Sequence, residues 1–77
     1  MAPSSRPVVR LRPKADARAL RHGAPWVFAD ALVLDRRTRA LPPGTVARLD
    51  DAAGQALATV AVSPASRIAA RVLDRDP

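Results

Sequence analysis

The sequence predicts a mainly β domain: a small barrel of about five strands with one or two short helices. Three observations carry that reading. Five β-favouring runs follow one another at close spacing, separated by breaks rich in Pro, Gly and Asp. Only residues 14–22 have strong helical character. The 77 residues include no cysteine, so a single small core has to form without disulfides or a thiolate-bound metal.

Taken in order, residues 1–7 form a tail containing Pro and Ser, with no reason to order. Val8-Val9-Arg10-Leu11 favours a strand, and Pro13 stops it. Residues 14–22 read as a helix of about two and a half turns. Pro13 suits its start, alanines fill it and Gly23 ends it. Residues 26–34 read as a strand, apolar on both faces, with room for a bulge. Residues 35–40 are a polar, basic connection whose Arg36, Arg37 and Arg39 are expected to be solvated. Leu41-Pro42-Pro43-Gly44 then turns the chain. Residues 45–50 form a short strand, 51–54 a hairpin turn and 55–62 the cleanest strand of the chain. Ser63-Pro64-Ala65 breaks it. Residues 66–73 close the domain, with Ile68, Ala70 and Val72 alternating against Arg67, Ala69 and Arg71. The expected domain is 8–73, with 74–77 beginning a linker.

The 48% apolar content overstates the core. Seventeen of these residues are alanine, which leaves eight Val, eight Leu, Ile68, Trp26 and Phe28 as the large candidates. With so few anchors, Trp26 is expected in the core, and stacking on a base is its alternative role. A domain of this size without staples is expected to be one piece of a longer polypeptide.

Charge points to a polyanionic partner. The net charge is +6, and glutamate is absent. Residues 1–23 hold six cations against Asp16, a balance of +5; residues 24–77 hold seven arginines against six aspartates, a balance of +1. An Arg-rich patch of this kind attracts phosphate and displaces its counterions. Lys14, Arg18 and Arg21, at i, i+4 and i+7, form a predicted cationic ridge on the helix, with Arg10 and Arg12 nearby. Like charges at this spacing cost an isolated helix roughly 0.2–0.5 kcal/mol per pair, which a bound anion offsets. Arg67 and Arg71 form a candidate second strip, or an edge strand guarded by charge.

The inventory argues against catalysis in these residues. His22 is the only histidine. Ser4, Ser5, Ser63 and Ser66 have no base placed beside them by the sequence. Gly23, Gly44 and Gly54 stand alone, so there is no phosphate-cradling loop. Asp50 with Asp51, and Asp74 with Asp76, read as solvated punctuation. No cofactor or metal site is expected. No apolar run approaches the roughly 20 residues of a membrane span, and residues 1–12 lack a secretory apolar region. The expected location is the cytoplasm.

Two stretches resemble a known family. Arg21-His22-Gly23-Ala24-Pro25-Trp26-Val27-Phe28 is similar to the helix-to-strand signature of bacterial 23S rRNA cytosine-5 methyltransferases. Ser63-Pro64-Ala65-Ser66-Arg67-Ile68-Ala69-Ala70-Arg71-Val72-Leu73 resembles the signature closing their N-terminal domain. Leu41-Pro42-Pro43-Gly44-Thr45-Val46 and the 51–54 hairpin fall between them in the family's order. The resemblance implies a PUA pseudo-barrel that binds RNA, here structured rRNA, beside its first helix. It also implies a separate C-terminal domain that binds S-adenosylmethionine and holds the catalytic residues, none of which map onto this chain. Ala24 replaces a histidine common in the family, and Ala29-Asp30-Ala31-Leu32 replaces a more polar Ser-Asn-Glu-Ile type of continuation. The expected RNA contacts are Arg10, Arg12, Lys14, Arg18, Arg21, Arg67 and Arg71. The alternative is a stand-alone barrel that binds an acidic protein or another polyanion.

Overall fold

The computed structural model describes residues 6–15, 18 and 23–76. Among them five strands form one curled sheet: β1 (Val8–Arg10), β2 (Trp26–Phe28), β3 (Thr45–Asp50), β4 (Ala56–Val62) and β5 (Ile68–Asp74), in the spatial order β1-β3-β4-β5-β2. The β1–β3 pair is parallel; the other three are antiparallel. The mainly β pseudo-barrel of about five strands expected from the sequence is therefore the architecture observed.

Residues 26–34 depart from the expected single strand, and the departure closes the barrel. β2 pairs with β5 only as far as Phe28. A 3-10 turn, Ala29–Ala31, then redirects the chain, and Leu32 bridges Leu11 at the far edge of the sheet. The Arg12 N–H donates to Ala31 O at 2.8 Å, and the Val33 N–H donates to Arg10 O at 2.8 Å. One apolar run thus serves both edges of the sheet. The polar Asp30 within it marks the bend.

The core is aliphatic and small. Leu32, Leu49, Val9, Val60 and Val62 are its largest fully buried side chains, joined by Leu11 and Val27. Ala47, Ala58, Ala69 and Ala70 are buried with them, so alanines that looked too small to count do fill the interior. Tight curvature explains their use, because a narrow barrel has room for large side chains only in alternation with small ones. Trp26 and Phe28 are not core residues: they are 43% and 47% exposed. In β2 only Val27 points inward, so strand alternation places both aromatic rings outside.

Bulges set the remaining differences. Trp26 pairs with Arg71 and Val27 with Ala70, but Phe28 pairs with Ile68, leaving Ala69 as the extra residue of β5. Ala69 and Ala70 are consequently both buried, and the simple alternation expected over 66–73 fails there. Residues 35–40 hold a helical turn, Arg36–Arg39, rather than an irregular connection. Asp35 caps it by accepting from the Thr38 N–H at 2.8 Å. The Thr38 backbone N–H, and after it the Thr38 side chain, hold the Asp35 carboxyl below its ordinary value of 3.8, and the charge of Arg37 adds to the effect. A carboxylate lowered in this way supports the fold above its unfolded pKa, and that support is lost as pH falls through the folded value. A carboxyl-detected NMR titration should accordingly place the Asp35 midpoint below 3.8; a midpoint at or above it contradicts the cap.

The β3–β4 hairpin rests on Asp51, whose Oδ1 accepts from the N–H groups of Ala53 at 2.9 Å and Gln55 at 2.8 Å. Gly54 completes the turn at φ +90°, and a Cβ built there meets nothing within 4 Å. Gly54→Ala should therefore cost only backbone strain, about 1–2 kcal/mol. That corresponds to roughly 4–8 °C of Tm per kcal/mol in thermal denaturation. An unchanged Tm would show that the turn tolerates an L side chain.

Candidate nucleic-acid interface

The exposed cations divide by what already occupies them. The Arg48 guanidinium is committed to the fold. Its Nε donates to Asp50 Oδ1 at 2.8 Å and its NH2 to Asp50 Oδ2 at 3.1 Å. Asp50 is almost fully buried, and this fork compensates its carboxylate. The same side-chain hydrogen bond, followed by the attraction between the charges, raises the Arg48 pKa further. The sequence reading counted Asp50 as solvated punctuation and gave Arg48 no role. Their i, i+2 spacing on one strand was the available signal.

Three other cations gather around the Ala29–Ala31 turn. Arg12 and Lys14 line an open cleft of about 560 Å³ together with Pro13, Ala15, Asp30 and Ala31. Arg67 lines a second cleft of about 520 Å³ with Phe28, Ala29, Asp30 and Ser66. Asp30 belongs to both, so the two clefts flank the turn as neighbours. Backbone bonds hold the walls together: the Ala29 N–H donates to Arg67 O at 2.8 Å, and the Ala15 N–H to Arg12 O at 2.9 Å. Arg12 is also fixed through its Nε, which donates to Leu32 O at 3.0 Å. An anchored guanidinium loses less freedom when it meets a phosphate than a free one does.

The other expected contacts are scattered. Lys14 lies in a turn with Pro13, not in a helix. The helix expected over 14–22 falls largely outside the described residues, as does Arg21; Arg18 is helical and exposed. Arg10 lines a third cleft, of about 260 Å³, with Asp35 and Arg37. Arg71 stands on the outer face of the sheet, in register with Trp26 and Ala61. Arg67 precedes β5 in a bend, so it does not share a strand face with Arg71. Phe28, Asp30 and Ser66 are site residues that sequence reasoning missed. Asp30 interrupting an apolar run was the signal for the bend that positions it.

Among the described residues no cluster of three or more His, Asp or Glu could hold a metal ion. No helix among them is long and apolar enough to cross a membrane. Gly23, Gly44 and Gly54, all at positive φ, sit in three separate turns.

The strands and the exposed cations define a small β pseudo-barrel with two cation-lined clefts. Residues 9–75 match the PUA-like domain family, and the chain belongs to it. No curated protein matches the chain at a significant level.

Proposed function

We propose that this domain binds structured RNA, with Arg12, Lys14 and Arg67 taking phosphates on either side of the Ala29–Ala31 turn. PUA-like domains generally bind RNA. The observation that supports the reading here is the convergence of three exposed cations from two distant parts of the chain on one pair of clefts. Phosphate contacts of this type position RNA without reading its sequence. In the wider proposal the domain is the substrate-gripping part of an S-adenosylmethionine-dependent rRNA cytosine-5 methyltransferase. Methyl transfer and the cofactor would then belong to another domain, and this chain would supply binding alone. The signature stretches 21–28 and 63–73 support that lineage.

Binding of a structured rRNA hairpin, followed by fluorescence anisotropy across a salt series, tests the proposal. Three phosphate contacts at about 0.7–0.9 released counterions each predict a log–log slope steeper than about −2. An acidic peptide in excess should compete poorly. A flat salt response would contradict phosphate gripping at these cations, and displacement by the peptide at equal charge concentration would favour an acidic protein as the partner.

A further inference from the structure

The cleft lined by Phe28, Asp30, Ser66 and Arg67 carries chemistry that phosphate binding does not use. We propose that it is a nucleobase pocket that selects an unpaired guanine, with Asp30 as the reading residue. This rests on the RNA-binding proposal and goes beyond it, from gripping the backbone to choosing a base.

Asp30 is exposed and forms the shared wall of both clefts. Among the described residues it has neither a hydrogen-bond nor an ion-pair partner. A carboxylate there repels phosphate, so its place between Arg12 and Lys14 on one side and Arg67 on the other calls for a ligand that is anionic at its edges and a donor at its centre. A nucleotide has that pattern. Its phosphates reach the cations, while its base offers N–H groups to the carboxylate. Phe28, 47% exposed and on the wall of the same cleft, supplies a ring on which a base can stack.

The choice among bases follows from donor geometry. A carboxylate presents two acceptors side by side. Guanine alone offers two adjacent donors, N1–H and the N2 amino group, on its Watson–Crick edge. Cytosine and adenine place an acceptor beside their amino group, and uracil places its N3–H between two carbonyls. Facing Asp30, each of those three bases sets an acceptor against an acceptor.

The test uses the pentaribonucleotides UUGUU, UUIUU, UUAUU, UUCUU and UUUUU, where I is inosine, which lacks the N2 amino group. Anisotropy titrations should show the guanosine oligomer binding the wild-type domain about tenfold or more tightly than the other four. Asp30→Asn should abolish that preference while leaving the other oligomers bound equally well or better, because a repulsive charge has been removed. Asp30→Ala should do the same. If Asp30→Asn tightens all five oligomers alike, or if guanosine and inosine oligomers bind the wild type equally, Asp30 is only a repulsive charge and the pocket does not select guanine. Failure of every oligomer and of the rRNA hairpin to bind would overturn the RNA reading itself, which is a distinguishable result.

Discussion

Replacing Leu32 with alanine is expected to remove a large share of this domain's stability and to lower its denaturation midpoint more than any surface change. Leu32 is fully buried and bridges Leu11, so it fills the core at the point where the sheet edges meet. Leu→Ala changes at such sites cost about 2–5 kcal/mol, through lost burial and the cavity left behind. A chain of 77 residues has roughly 4–12 kcal/mol in total. The loss is therefore a large share of all the stability available. Chemical denaturation should show the midpoint collapsing, whereas Leu73→Ala, at a position 57% exposed, should shift it little. If Leu32→Ala keeps a near-native midpoint, barrel closure through residues 31–33 is not what holds the fold.

The second large effect concerns binding. The triple variant Arg12→Ala, Lys14→Ala, Arg67→Ala should weaken affinity for a structured rRNA hairpin by roughly 10- to 100-fold, at up to about 1 kcal/mol per exposed contact. Its log–log salt slope should flatten by about 2. Arg71→Ala, on the outer face beside Trp26, should change neither by more than a small factor. Arg48→Ala belongs to a different class. It removes the partner of a buried carboxylate, so it should lower stability at neutral pH and tell little about RNA. Equal losses from Arg71→Ala and from the triple variant would mean that overall charge, not the paired clefts, governs affinity.

Local rules made much of the fold legible. The strand over residues 45–50 was readable from its β-favouring residues between two turns, and the hairpin at 51–54 from its Asp and Gly. The end of β4 was readable from Ser63-Pro64. What the sequence hid was curvature. Nothing local in residues 26–34 states that one run must leave β5 and reach β1; that follows from closing a small sheet, which is a property of the whole chain. The misplacement of Trp26 and Phe28 has the same origin. Size alone suggested core anchors, but a narrow interior is better filled by Val, Leu and Ala, and strand alternation sends the rings outward. For the site, the sequence named Arg12, Lys14 and Arg67 together with Arg10, Arg18, Arg21 and Arg71, and the first three are exposed beside the Ala29–Ala31 turn. Charge could not separate them from Arg10 or Arg71, because that distinction depends on which strand register brings which residues together.

The central claim is that RNA meets this domain at the clefts on either side of the Ala29–Ala31 turn. Backbone amide chemical-shift mapping during titration with a structured rRNA hairpin tests it most directly. The largest shifts should fall on Arg12, Lys14, residues 29–31, Ser66 and Arg67, while Trp26, Val46 and Arg71 on the outer sheet face stay nearly still. A map centred on Trp26 and Arg71, with the turn unperturbed, would contradict the claim.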